Sequence, residues 1–294
     1  MMTVSKARSS NGRYVAEFIG LNLMRAATLI TVGAIVAILF YLIDNALPAL
    51  SWEFFSESPR EMMTAGGIWP CIVGTFYLAV GATVIALPLG VASALYLTEY
   101  GGQGRFVSGV RLAVSNLSGV PSVIFGLFGL TFFVTFCGFG VSLLSGILTL
   151  ALLALPIVIN TTEAALNQVP QAWREASLAL GATKKQTIFK IVLPAALPGL
   201  LTGNILALSR VAGETAAIMY TAAVFYTPTM THSVMDPVMS LPYHIYVLAT
   251  SSVDVEASLP LQYGTAFVLV LMVLGLNAVA LTIRSRAQKK LARQ

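Results

Sequence analysis

Long stretches of this chain carry no charge, and that restricts its fold more than any other feature. No Asp, Glu, Lys or Arg falls within Ala26–Ile43, Ile68–Leu97 or Leu112–Thr162. Each stretch supplies at least the roughly 17–25 apolar residues that a helix needs to cross a bilayer. The third is long enough for two crossings, with Cys137-Gly138-Phe139-Gly140 as its natural break. Two further apolar stretches lie near Leu200–Tyr226 and Leu261–Ile283, so six spans are expected. With 57% apolar and only 10% charged residues among 294, and a mean hydropathy of +0.83, a soluble globule is excluded. The expected fold is an all-α integral membrane protein.

Orientation follows from the basic residues. Fifteen of the 17 lysines and arginines lie in the N-terminal segment, the second and fourth connections and the C-terminal tail; Arg60 and Arg210 are the exceptions. An even number of spans and an excess of Lys and Arg on one side place both termini in the cytoplasm. The expected organisation is a cytoplasmic segment over 1–25, one membrane domain over 26–283, and a basic tail over 284–294. The positive charge is thus a topology signal, and nucleic acid is not an expected partner, because no basic soluble face with interleaved aromatics exists. The basic start and first apolar run read as an uncleaved helix, since the run exceeds a secretory signal core. The outer segments, about Pro48–Gly67 and Thr227–Pro260, are too short for a separate domain. Cys71 and Cys137 read as packing residues, and His232 and His244 as surface or packing residues with no metal-ligand cluster around them. Gly101, Gly102 and Gly104 form a tight turn, lacking the Lys-Ser/Thr ending of a phosphate cradle.

The fourth connection, about 163–197, is amphipathic. In it Glu175-Ala176-Ser177-Leu178-Ala179-Leu180-Gly181 is followed, after nine residues, by Ile191-Val192-Leu193-Pro194. Gly181 permits a turn between two short helices. Ala176, Ala179, Leu180 and Ala182 offer a small, close-packing surface, Glu175 is expected near a helix start, and Lys184, Lys185 and Lys190 follow the turn. Such a loop reads as a knob for something outside the bilayer to grip.

This pattern resembles the EAA loop of the membrane subunits of ATP-binding-cassette importers, with Ser177 in place of the second alanine. The resemblance implies a type I importer permease architecture. It also implies that Glu175, Ala176, Ala179, Gly181, Ile191, Leu193 and Pro194 dock on an ATPase and carry its motion into the membrane. No lysine in the chain follows a glycine, so no Walker-type ATP site is present. The chain is therefore expected to be no enzyme and to bind no cofactor itself, with ATP and Mg used by the partner ATPase.

The fifth span carries Arg210 and Glu214. A charge at the bilayer centre costs roughly 2.5–3.5 kcal/mol on insertion scales, so both must face protein or water. Four residues apart, they are expected to share a helix face with Gly203, Ala207, Ala217 and Thr221, opposite Leu201, Ile205, Leu208 and Ala212. One reading is a structural ion pair that braces a neighbouring helix. The other is an anion contact in a transport path, where the guanidinium forms two parallel hydrogen bonds to a tetrahedral oxyanion while Glu214 keeps the site from trapping it.

Ser209-Arg210-Val211-Ala212-Gly213-Glu214-Thr215-Ala216 followed by Tyr220-Thr221-Ala222 resembles the fifth-span signature of phosphate importer permeases of the PstA type. Gly66-Gly67-Ile68 with Val73-Gly74-Thr75, Ala86-Leu87-Pro88-Leu89-Gly90, and Gly119-Val120-Pro121-Ser122 with Phe125-Gly126 are similar to the same family, so the resemblance runs from about residue 60 onward. It implies a heterodimer with a PstC-type permease subunit, two cytoplasmic ATPase subunits and an extracytoplasmic phosphate-binding protein, in the bacterial inner membrane. Arg210 and Glu214 would then belong to the phosphate path. Arg174 matches a basic position of that family and reads equally as a charge with a direct transport role or as one at the ATPase contact or the membrane surface. The outer segments either touch the binding protein or are plain solvated connections. Transport would proceed by alternating access, with Pro88, Pro121 and Pro156 as bending points or static kinks. A permease for another oxyanion such as sulfate or molybdate, a secondary transporter and a membrane-embedded enzyme are the alternatives. The second leaves the EAA-like loop unexplained, and the third would need a nucleophile, base or metal cluster in the spans, where the sequence shows none.

Overall fold

The computed structural model describes residues 10–60, 65–102, 104–227, 231–252 and 255–291. A bilayer offers no partner to an unpaired backbone N–H or C=O, so the apolar runs close their hydrogen bonds internally as helices. In chain order these are α1 (Ser10–Ala46), α2 (Trp52–Ser56), α3 (Trp69–Leu95), α4 (Arg105–Leu117), α5 (Ser122–Gly129), α6 (Leu143–Asn167), α7 (Gln171–Ala179), α8 (Lys184–Thr187), α9 (Leu193–Ala212), α10 (Ala216–Met219), α11 (Leu241–Ser251) and α12 (Val255–Leu291). π-helical turns extend α3 (Tyr96–Tyr100) and α5 (Leu130–Phe136) and join α8 to α9 (Ile188–Val192). In the first outer segment a two-residue strand β1 (Pro59–Arg60) pairs antiparallel with β2 (Ala65–Gly66). Five helices are long and apolar enough to cross, and α4 with α5 and its extension, bent by 104°, supplies the sixth crossing.

Two boundaries depart from the hydropathy reading. The third apolar stretch does break at residues 137–140, where Gly138 and Gly140 take φ of +71° and +67°. Its first crossing, however, does not begin at Leu112. α4 is an amphipathic helix whose Val107, Val110 and Val114 pack with Leu97 and Ile159, and Pro121 is the N-cap of α5 rather than a kink within a span. Proline has no N–H to donate and disfavours helix at the residue before it, so the bend falls there. Pro88 and Pro156 do lie inside α3 and α6. The fifth span also ends early, because α9 stops at Ala212 with Gly213 as its C-cap instead of continuing to Tyr226.

The core is built from α3, α6 and α9, which bury Leu78, Ala82, Leu150, Ala154, Ala207 and Val211 in one cluster. Lipid tails are as apolar as leucine, so these helices associate through close packing at small residues. Gly203 of α9 rests on Thr161 of α6, and a Cβ there would stand 2.0 Å from the Thr161 hydroxyl. α1 packs at the rim against α12, with Tyr41 edge-on to Tyr263 at 5.7 Å between ring centroids. Most of its large apolar side chains are exposed, as a lipid-facing helix requires.

At the outer end Phe54, Ile68, Cys71, Met239, Leu241 and Val268 form a second cluster. The segment after α10 is tied down by its backbone: the amides of Ser142, Leu143 and Leu144 donate to the carbonyls of Thr221, Asp236 and Val234. His244 is buried in α11 and His232 is exposed. At the cytoplasmic end a third cluster gathers Leu97, Val107, Leu166, Val169, Val192, Ala196 and Leu200, seating the fourth connection on the spans.

Candidate functional site

The fourth connection folds as the expected pair of short helices. Pro170 caps the start of α7, and Gly181 takes a φ of +84° with no atom within 4 Å of where a Cβ would stand, so the turn needs glycine for its backbone and not for space. Thr183 and Gln186 then form a capping box that starts α8. Ser177, the departure from the usual pattern, shares a buried hydrogen bond of 2.9 Å with the Thr187 hydroxyl and ties the two helices together. Alanine could not make that bond. Glu175, Ala176, Ala179 and Gly181 are all exposed, and Leu180 at the tip is 89% exposed. Ile191, Leu193 and Pro194 are half-buried where the loop enters α9, and Ile191 and Pro194 border a cavity of about 610 Å³ with Trp173 and Lys190. Glu175 lies in mid-helix and not in the first turn, because Pro170 starts the helix earlier than expected.

Arg174 points inward. Its Nη2 lies 2.8 Å from Glu99 Oε1, its Nε donates to the same oxygen, and Nη1 and Nη2 also donate to the carbonyls of Val169 and Leu166 at 2.7 and 2.9 Å. The two side chains are 13% and 10% exposed, so Arg174 is neither a free charge on the membrane surface nor a projection toward an ATPase. Beside it, Arg111 on α4 pairs with Glu163 on α6 at 3.0 Å and donates to the Leu97 carbonyl at 2.8 Å. Glu99, Arg111 and Glu163 drew no notice as a site in the sequence. Glu99 and Arg174 stand 75 residues apart, and the one local signal is an acid near the end of each of two apolar runs.

Arg210 is exposed in the last turn of α9, where a cation meets the negative end of the helix. Gly199 faces Ala165, and Gly203 faces Thr161. Continued in that antiparallel register, Arg210 comes level with Ala154, next to the mid-point of α6. That is about 14 Å outward of Glu163, in a hydrocarbon layer about 30 Å thick. An ion pair with Glu214, one of the two readings, is not found among the described residues. The ion pairs among the described residues join Arg60 to Glu53 and Glu57, Arg111 to Glu163, and Arg174 to Glu99. Since α9 ends at Ala212, Glu214 lies off the helix, and its carboxylate accepts from the Ala217 amide at 3.5 Å. Ala217 and Thr221 likewise belong to the chain after the break. Leu208 and Ala212, expected opposite the charges, are buried in the core with Gly203 and Ala207. Arg210 shares its outward side with Leu206, which is 56% exposed.

Residues 86–293 match the family described as binding-protein-dependent transport system inner membrane component. The chain is 30% identical over 290 residues to the probable ABC transporter permease protein YqgI of Bacillus subtilis (strain 168), spanning 95% of this chain and 98% of that protein. It is 38% identical over 218 residues to the phosphate transport system permease protein PstA of Haemophilus influenzae, spanning 73% and 75%. A bacterial ABC transporter involved in the import of the acidic polysaccharide alginate shares the fold at a TM-score of 0.61, over 92% of this chain and 97% of that chain with 16% identity. The MetNI methionine ABC transporter in an inward-facing conformation does so at 0.55, over 75% and 94% with 23% identity.

Proposed function

The chain belongs to the family of inner membrane components of binding-protein-dependent transport systems, and from that premise we propose that it conducts phosphate as a PstA-type subunit. It is an ATP-binding-cassette importer permease of the bacterial inner membrane, and ATP hydrolysis is done by a separate subunit. In the proposed assembly it pairs with a PstC-type permease subunit, two ATPases grip the coupling loops, and a phosphate-binding protein delivers substrate from outside. In the proposed organisation a cytoplasmic segment over 1–25 and a basic tail over 284–294 flank one permease domain.

The observation that carries this reading is Arg210, exposed at mid-depth beside a helix break. An exposed guanidinium at that depth is too costly to face lipid, and non-helical backbone there is tolerated only against protein or water. A second membrane subunit and an aqueous path between the two would satisfy both demands. Because no carboxylate among the described residues pairs with Arg210, its fork of N–H donors is available to two oxygens of a tetrahedral anion. Glu214, two residues beyond the helix end, adds a negative charge close by, which keeps the anion from binding too firmly to leave. The exposed face of the coupling loop, from Glu175 to Gly181, is the corresponding docking surface for the ATPase.

The test is uptake of radiolabelled phosphate and sulfate in cells lacking this chain, restored with the parent or with Arg210→Gln. The expected outcome is phosphate-selective restoration by the parent. Arg210→Gln should assemble normally and lose most uptake, since a charged hydrogen-bond partner contributes about 1.5–3 kcal/mol, roughly tenfold to a hundredfold. Restoration of sulfate uptake instead would overturn the substrate, and failure of Arg210→Gln to assemble would assign the residue a structural role.

A further inference from the structure

Two acids stand at the unfavourable ends of their helices. Glu99 lies in the π-helical turn that ends α3, and Glu163 lies about one turn from the end of α6. The helix dipole disfavours negative charge at both places, so each acid needs a cation from elsewhere in the fold. Arg174 of α7 meets Glu99, and Arg111 of α4 meets Glu163. Each guanidinium also donates to carbonyls at the helix ends: Leu166 and Val169 for Arg174, Leu97 for Arg111. The two arginines therefore cross-link the ends of α3 and α6. α7 itself buries Ser177, whose partner Thr187 belongs to the same loop, so the bonds of Arg174 are its directed links to the spans.

We propose that Glu99 and Arg174 are positioning residues, forming the rigid joint through which displacement of the coupling loop is delivered to α3 and α6. Arg111 and Glu163 keep the two helix ends moving together. The inference rests on the importer reading and adds a route by which motion enters the membrane. A loop held by apolar contacts alone can slide, whereas a guanidinium bonded at once to one carboxylate and two carbonyls is fixed in direction. The π-helical turn carrying Glu99 suits the task, because such turns add a residue to the helix and recur at functional sites.

The joint is tested in proteoliposomes holding the complete importer complex, with ATP hydrolysis and import of radiolabelled phosphate measured in the same vesicles. Glu99→Gln is expected to leave hydrolysis within about twofold and to lower import about tenfold, so that the ATP used per phosphate rises several-fold. Glu99→Asp, which keeps the carboxylate, should recover most of the import. A purely structural role would lower hydrolysis and import in step, and an unchanged ratio overturns the proposal. Should Glu99→Gln not assemble, Arg174→Lys is the second variant. It keeps the charge but, with all its donors on one nitrogen, cannot reproduce the planar fork that reaches Glu99 and the two carbonyls, and the same rise in the ratio is expected, with an unchanged ratio again overturning the joint.

If the parent complex hydrolyses ATP yet imports no phosphate, the substrate reading fails while the joint is judged by geometry. Spin labels at Leu180→Cys on the loop tip and Val84→Cys on the exposed side of α3 report whether the two move as one body. A distance that stays constant through the ATP cycle in the parent and changes in Glu99→Gln supports the joint. A parent distance that changes, or a variant that matches the parent, refutes it.

Discussion

Replacing Gly203 by alanine should force α9 away from α6, and the size of the effect can be worked out from the contact. The added Cβ would stand 2.0 Å from Thr161 Oγ1 and 2.5 Å from Thr161 Cβ, where ordinary contact begins at 3.4 Å. The helices must therefore part by about 1.4 Å, or Thr161 must turn. Turning is opposed because its hydroxyl donates to the Ile157 carbonyl at 2.7 Å. Overpacking costs about 1–3 kcal/mol and a lost hydrogen bond about 0.5–1.5 kcal/mol, so a destabilisation of roughly 2–4 kcal/mol is expected. Because Arg210 lies two turns further along the same helix, import should fall as well. Unfolding of the detergent-solubilised complex measures the first effect, and the double variant with Thr161→Gly isolates its cause. Moving the small residue to the other helix should recover at least half of the loss. If Gly203→Ala is as stable as the parent, or if the two losses add instead of offsetting, the close approach of α6 and α9 is not what Gly203 supports.

Gly181→Val should insert normally yet hydrolyse ATP without matching import. A left-handed backbone costs a side-chain-bearing residue about 1–2 kcal/mol and favours a rearranged turn, while Gly181→Asn should stay close to the parent; equal coupling in Gly181→Val would remove the turn from the mechanism. His244 offers a pH test on the outer segment: its Nδ1 is buried with no hydrogen-bond partner among the described residues, and burial pushes the pKa down from 6.5 to about 4. The unfolded segment takes up a proton first, so stability is fully present above pH 6.5 and falls toward pH 4, by up to about 3 kcal/mol. Hydrogen exchange of the α11 amides at pH 7 and pH 5 checks this, and the slope should vanish in His244→Leu.

The membrane domain and its orientation were legible in the sequence because both depend on quantities that add along the chain. Transfer of side chains into lipid sums over a window of about 20 residues, and the bias of Lys and Arg sums over the connections. The turn in the fourth connection was legible for a related reason. Glycine at a left-handed turn and small residues on the exposed face are local demands that leave a local pattern, whereas the cap at Thr183 came only with the structure. The same windows misled where an apolar residue covers protein and not lipid. Val114 counts toward a span, yet it helps seat an amphipathic helix on Leu97 and Ile159.

The charged residues divide along the same line. From the sequence alone it follows that Arg210 and Glu214 lie in an apolar stretch and must face something other than lipid. Whether they face each other depended on where α9 ends, and it ends at Ala212, which moves Glu214 off the helix and leaves Arg210 exposed. Arg174 illustrates the limit from the other side. Its partner Glu99 is brought to it by the packing of α3 and α6, and its carbonyl acceptors, Leu166 and Val169, lie where α6 ends. Hydropathy and local motifs therefore determined which segments cross and where the fourth connection turns between two short helices. The tertiary structure alone decided which charges meet, because an ion pair depends on distances of a few ångströms between residues far apart in the chain.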